Sequence, residues 1–165
     1  MAAKALRGVP DDQAVGDLAG AMHFLRGQPY RQWQVGNFGT CSGGRHAYLP
    51  HAARRLNSDA VLDLGRPLAA TPDQFTEKSP VAPHRLHADL SCPILGLFGE
   101  EDQSPTPEQV AIHEAALKEH GKEYEFHMYP DAGHGFFYYN RPNYRQAQAV
   151  DGWEKIWAFL ARTIG

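Results

Sequence analysis

Cys41 stands in Gly39-Thr-Cys-Ser-Gly-Gly44, behind the short apolar run Val35-Gly-Asn-Phe-Gly39 and ahead of a helix-forming segment. The pattern G-x-C-x-G-G is a cysteine form of the nucleophile elbow, a sharp turn from strand to helix that lifts one side chain to the mouth of a sheet. The nucleophile in such a turn sits at a strained backbone position, and the residues two places before and after it approach closely, which favours glycine at both. The backbone N–H of Ser42 can then donate to an oxyanion. The start of the helix also favours the thiolate of Cys41 over the thiol. A lone cysteine is most often a small buried core residue; the flanking glycines and the downstream residues weigh against that reading here.

Two further groups complete an acyl-transfer set. Asp102 lies in Phe98-Gly-Glu-Glu-Asp-Gln103, just after a strongly apolar run, and His134 lies in Tyr129-Pro-Asp-Ala-Gly-His-Gly-Phe-Phe137. In that order a histidine can take or hold the thiol proton. An aspartate can fix its tautomer and stabilise the imidazolium, and the thiolate can attack an ester-like carbonyl. Glu100 and Glu101 are competitors for the acid, but acidic residues in a turn after a strand are mostly solvated. Phe136, Phe137, Tyr138 and Tyr139 follow His134. Packing is the ordinary role of such aromatics, and adjacency to His134 makes Phe136 and Tyr138 candidates for the substrate wall. The other histidines have no ligand spacing with a third partner, so a metal site is not expected; His84 and His87 have no assigned role.

These residues need elements to position them. Apolar spacing predicts a helix over 11–27, with Asp11 and Asp12 at its start and Gly27 at its end. Strands are expected at 34–40, 59–64, 93–99 and 123–129, and helices at 42–56, 106–120 and 143–163. Pro50 should kink or shorten the second helix. Thr106-Pro-Glu-Gln109 reads as a capping box. In the last helix Val150, Trp153, Ile156, Trp157, Leu160 and Ile164 make one broad apolar stripe, expected to pack on the sheet. Residues 65–91 read as a long loop with a short helix. The continuous apolar run at 93–99 fits a strand buried on both faces, and the alternation implies a parallel α/β sheet with right-handed crossovers. Cys41, Asp102 and His134 then all follow carboxyl ends of strands, where open α/β sheets build their sites.

Composition agrees with one domain. The chain has 165 residues, is 42 % hydrophobic and carries a formal net charge of −3, which leaves no basic footprint for nucleic acid. No apolar run has membrane-span length and the first residues have no signal-like core, so no membrane partner is expected. Cys92 reads as a buried thiol, without a disulfide to Cys41, so a reducing, cytoplasmic location is expected.

The segments Gly39-Thr-Cys-Ser-Gly-Gly44, Cys92-Pro-Ile-Leu-Gly-Leu-Phe-Gly-Glu-Glu-Asp102, Ala132-Gly-His-Gly-Phe-Phe137 and Arg141-Pro-Asn-Tyr-Arg145 resemble the dienelactone hydrolase family of the α/β-hydrolase fold. The resemblance runs from the first helix to the C-terminus. It implies the C-terminal part of that fold, a mostly parallel sheet of about four strands flanked by helices. It also implies a Cys41–His134–Asp102 triad and hydrolysis of a lactone or activated ester, without metal or organic cofactor. An arginine that follows the histidine segment in the family has Tyr138 in its place, and Arg141 is the nearest basic substitute. Asn37 is polar in a strand that should be buried, and Leu64-Gly-Arg-Pro departs from the family's glycine-rich turn. Strands and a helix that the family carries ahead of residue 11 have no counterpart, and with them goes the second oxyanion donor; the chain reads as an N-terminally shortened member. Its first strand should therefore be an open edge, repaired by a homodimer or a partner chain. The alternative to an active hydrolase is a non-catalytic remnant or half-protein that needs such a partner.

Overall fold

The alternation of short β-branched or leucine-rich runs with amphipathic segments dictates layers, and the computed structural model shows them. It describes residues 9–29, 34–52, 59–64 and 87–165. In chain order the elements are α1 (Asp11–Arg26), β1 (Gly36–Thr40), α2 (Ser42–Ala52), β2 (Ala60–Leu64), β3 (Ile94–Gly99), α3 (Pro107–Glu119), β4 (Tyr124–Tyr129) and α4 (Gln146–Thr163). The four strands form one sheet in the order β1-β2-β3-β4, every pair parallel. The expected boundaries hold to within a few residues. Most of the expected loop at 65–91, and the end of the helix expected at 42–56, lie outside the described residues. The second helix continues through Pro50 to Ala52.

Side chains in β2 and β3 alternate between two cores. Ala60, Leu62, Leu64, Leu95 and Leu97 pack with Ile156 and Phe159 of α4 on one face. Val61 and Ile94 pack with Ala47 and Tyr48 of α2 and Leu117 of α3 on the other. Period-two alternation on a sheet buried from both sides makes both strands apolar apart from Asp63. Each such buried leucine or isoleucine contributes roughly 1.5–3 kcal/mol. Helix α3 begins with the expected capping box, Thr106 and Gln109 each bonding the other's backbone N–H. Arg45 of α2 donates from Nε and Nη2 to the carboxylate of Asp11, tying α1 to α2.

Helix α4 departs from its expected packing. Its buried residues are Ala149, Gly152, Ile156 and Phe159, whereas Val150, Trp153 and Trp157 are 50 %, 43 % and 64 % exposed. Small residues define the seam, because Phe137 lies against the backbone of Gly152. The large residues beside the seam form a second strip, in which Trp153 stacks on Trp157 and on Phe38 of β1. Among the described residues β1 pairs with β2 alone, so it is an edge of this sheet. Asn37 is buried in it, while Phe38 is 49 % exposed. No helix among the described residues is long and apolar enough to cross a membrane.

Candidate active site

The elbow is built as its spacing predicts. β1 ends at Thr40, α2 begins at Ser42, and Cys41 between them has φ 53°. A non-glycine residue in that region is strained and persists only where its surroundings hold it. Cys41 N–H donates to Leu64 O at the end of β2, 2.9 Å away, and Cys41 O accepts from Gly44 N–H at 2.9 Å. The close approach is one-sided. A Cβ on residue 39 would stand 2.0 Å from Gly43 O, whereas a Cβ on residue 43 would meet nothing within 4 Å. The expectation that both positions demand glycine is corrected to Gly39 alone, because the Gly43 carbonyl, not its Cα, faces the strand. Gly39→Ala should therefore cost about 1–3 kcal/mol or more, and Gly43→Ala should lie within about 1 kcal/mol of the parent. Thermal melting of the two variants checks this contrast.

Asp102 and His134 reach the elbow from neighbouring strand ends. The turn after β3 and the loop after β4 are laced together, with Glu100 N–H donating to Tyr129 O and Glu101 N–H to Ala132 O, both at 2.9 Å. Gly99 permits this contact, since a Cβ there would lie 2.2 Å from Ala132 O. Asp102 is buried, whereas Glu100 and Glu101 are exposed. Its Oδ2 lies 2.9 Å from His134 Nδ1, and its Oδ1 accepts from Ser104 N–H at 2.8 Å. The bond to Asp102 is the chief reason that His134 is pushed up to about 9; partial burial opposes the rise, and a hydrogen bond with Cys41 adds to it. Cys41, Asp102 and His134 thus surround one pocket, walled by Leu64, Leu97 and Phe136.

The remaining candidates fall in different places. Ser42 is the first residue of α2, where backbone N–H groups have no intrahelical acceptor. Phe136 is buried in the core cluster and also lines the pocket. Tyr138 lines it too, with its hydroxyl 2.8 Å from Thr40 Oγ1. Arg141 is exposed and does not line the pocket, so the structure does not bring it to the site.

Sequence reading missed the groups that hold the His134 loop. Asn143 Nδ2 donates to His134 O. Arg145 Nε donates to Asp131 O at 2.7 Å, and Arg145 N–H donates to Phe136 O at 3.1 Å. Both residues lie in Arg141-Pro-Asn-Tyr-Arg145, whose proximity to His134 was the available signal. Side-chain bonds to loop carbonyls have no fixed spacing by which to find them.

The sequence profile of the dienelactone hydrolase family matches residues 2–164. The chain belongs to the dienelactone hydrolase family. Similar members include a protein of Methylorubrum extorquens described as "Putative carboxymethylenebutenolidase", 35 % identical over 149 residues that make up 90 % of this chain and 50 % of that protein. Another, with the same description, from Escherichia coli K12, is 34 % identical over 148 residues, 90 % of this chain and 53 % of its own. The chain spans about half the length of these curated relatives. Among solved structures, a "Putative Dienelactone Hydrolase" from Klebsiella pneumoniae superposes with a TM-score of 0.79 at 30 % identity, over 94 % of this chain and 63 % of that one. The four parallel strands flanked by helices are therefore part of an α/β-hydrolase fold.

Proposed function

We propose that the protein is a cysteine-dependent hydrolase of lactones or activated esters, acting through an acyl-enzyme on Cys41. The observation that carries this reading is the run of contacts Asp102–His134–Cys41 at one pocket, on the carboxyl ends of β3, β4 and β1. Family membership supports the reaction class, and the names of the relatives point to lactone substrates.

The chemistry follows from the proton inventory. His134 Nδ1 is engaged by Asp102, which leaves Nε2 for Cys41. With His134 protonated near neutral pH, Cys41 is the thiolate of an ion pair and is ready to attack. Its Sγ adds to the carbonyl carbon, and the oxyanion lies toward the Ser42 N–H. The intermediate collapses, the acyl C–O bond breaks, and the departing oxygen takes the Nε2 proton. Neutral His134 then takes a proton from water, whose hydroxide adds to the thioester. The acid leaves and the thiolate–imidazolium pair is restored.

Intact-protein mass after incubation with p-nitrophenyl acetate is the direct test. A gain of one acetyl group, mapped to Cys41, is expected, and iodoacetamide should label Cys41 well before Cys92, which is buried. Unmodified protein, or equal labelling of both thiols, would overturn the assignment and leave a non-catalytic relative.

The reading includes a second copy at the β1 edge. Among the described residues β1 is the last strand of the sheet, and beside it lies the exposed aromatic strip of Phe38, Trp153 and Trp157. Open strand edges beside apolar patches recruit other chains, and two-fold dimers are the commonest closed assemblies. Sedimentation at micromolar concentration should give a dimer; a compact, cooperatively melting monomer would sink this part of the proposal.

A further inference from the structure

The contact between Cys41 and His134 joins two segments that are anchored separately. The elbow is held by the parallel ladder of β1 on β2, in which Thr40 pairs with Leu64. The His134 loop is held from other directions. Glu101 N–H donates to Ala132 O, Arg145 Nε to Asp131 O and Asn143 Nδ2 to His134 O. These donors belong to the turn after β3 and to the chain leading into α4, and they locate His134 against Asp102. Tyr138 crosses from this loop to the elbow. Its hydroxyl is hydrogen-bonded to Thr40 Oγ1 at 2.8 Å. Its ring lies on Gly135, where an added Cβ would stand 2.9 Å from Cδ2 and 3.3 Å from Cε2. Gly135 has φ 75°, and its carbonyl accepts from Tyr138 N–H at 3.0 Å. One phenol therefore runs from the residue after the histidine to the residue before the cysteine.

We propose, resting on the acyl-enzyme reading above, that Tyr138 is a positioning residue: braced on Gly135 and bonded to Thr40, it sets the distance between His134 and Cys41. A tyrosine side chain has only two torsions, so holding both of its ends holds the gap that it spans. Proton transfer between thiol and imidazole needs their heavy atoms within about 2.6–3.2 Å, and a misplacement of about 1 Å can cost about 10²-fold in rate. Thiolate and imidazolium also stabilise each other only while they stay close. Tyr138 is 43 % exposed, so its hydroxyl can be removed without opening the core. Among the described residues lining the pocket, the titratable groups are Cys41, Asp102, His134 and Tyr138 itself. Tyr138→Phe thus removes a titratable group together with the bond, whereas Thr40→Val removes the bond alone.

The pH at which iodoacetamide alkylates Cys41 at half its maximal rate, read by peptide mass spectrometry, reports on the pair without turnover. Tyr138→Phe and Thr40→Val should each raise this midpoint by about 0.5 pH unit or more. Each should also lower turnover of p-nitrophenyl acetate about tenfold. The double variant should match either single one, because both changes remove the same bond. Thr40→Ser, which keeps the hydroxyl, should recover most of the loss. An unmoved midpoint in either single variant that melts like the parent overturns the proposal, and so does a double variant whose shift is the sum of the two. Slower turnover in Tyr138→Phe without a shifted midpoint is the mark of a substrate contact and overturns it too. A parent midpoint no lower than that of free cysteine has the same consequence, since no pair is then held. The hydrolase reading fails separately. A parent that is never acylated, but whose midpoint moves in both variants, refutes turnover and leaves the positioning role standing.

Discussion

Replacing Asp102 by Asn should lower turnover of an activated ester by about 10³- to 10⁴-fold while the protein stays folded. Asp102 is 3 % exposed, and both of its oxygens are engaged, by His134 Nδ1 and by Ser104 N–H. An asparagine of the same shape can keep only part of this. If its oxygen turns to His134, its NH₂ meets the Ser104 N–H, donor against donor. If its NH₂ turns to His134, Nδ1 must become an acceptor, and the proton moves to Nε2. Nε2 is then a donor in the resting enzyme and cannot take a proton from the thiol or from water. The largest cause of the raised His134 value disappears as well, so the thiolate loses its counter-ion. Alkylation of Cys41 at neutral pH should slow together with turnover. Glu101→Gln is the control, since Glu101 is exposed. A larger loss in that variant than in Asp102→Asn would show that the acid has been assigned to the wrong residue.

The elements that place this acid were legible because each carries a local signature. Thr106-Pro-Glu-Gln109 specifies a helix start through reciprocal bonds three residues apart, and it forms so. The apolar run before Glu100 specifies a strand covered on both faces. The elbow was legible for the same reason, although its steric demand on Gly39 alone depends on which atom of residue 43 faces the strand. Contacts set by tertiary packing were not legible. Tyr48, His87 and His113 form a buried hydrogen-bonded chain, with His113 Nδ1 2.6 Å from His87 Nε2 and Tyr48 Oη on His87 Nδ1. These residues are scattered along the sequence, and His87 in isolation is a loop histidine with no assignable role. Asp63 is likewise fully buried within an otherwise apolar strand, a position that period-two reading assigns to a hydrophobe. On α4 the periodicity located the helix but not its seam. Hydrophobicity ranks Trp153 and Trp157 above Ala149 and Gly152, whereas close packing against Phe137 selects the small residues.

His134→Ala should have the larger effect on catalysis, about 10⁵- to 10⁶-fold in turnover, because in the proposed mechanism nucleophile activation, leaving-group protonation and water activation all pass through its imidazole. It should also change how stability responds to pH. The folded protein holds His134 up to about 9, whereas an unfolded chain leaves a histidine near 6.5. The folded state therefore binds the proton more tightly than the unfolded state. The resulting stabilisation is fully present below about pH 6.5, declines as pH rises, and is gone above about 9. Measured in a Cys41→Ser background, so that the proton of the thiol does not offset that of the imidazole, the melting temperature should fall across that window. The imidazole is about half exposed, so solvent screens part of the interaction and the fall should be modest. In His134→Ala this contribution is absent, and the difference between parent and variant melting temperatures should shrink from pH 6 to pH 9.5. Asp102→Asn should flatten the parent's slope in the same direction, because the bond to Asp102 is the first cause of the raised value. A protein whose stability relative to His134→Ala rises up to about pH 6.5 and is flat above it would mean that the imidazole is held neutral, and Cys41 would then need another base to lose its proton.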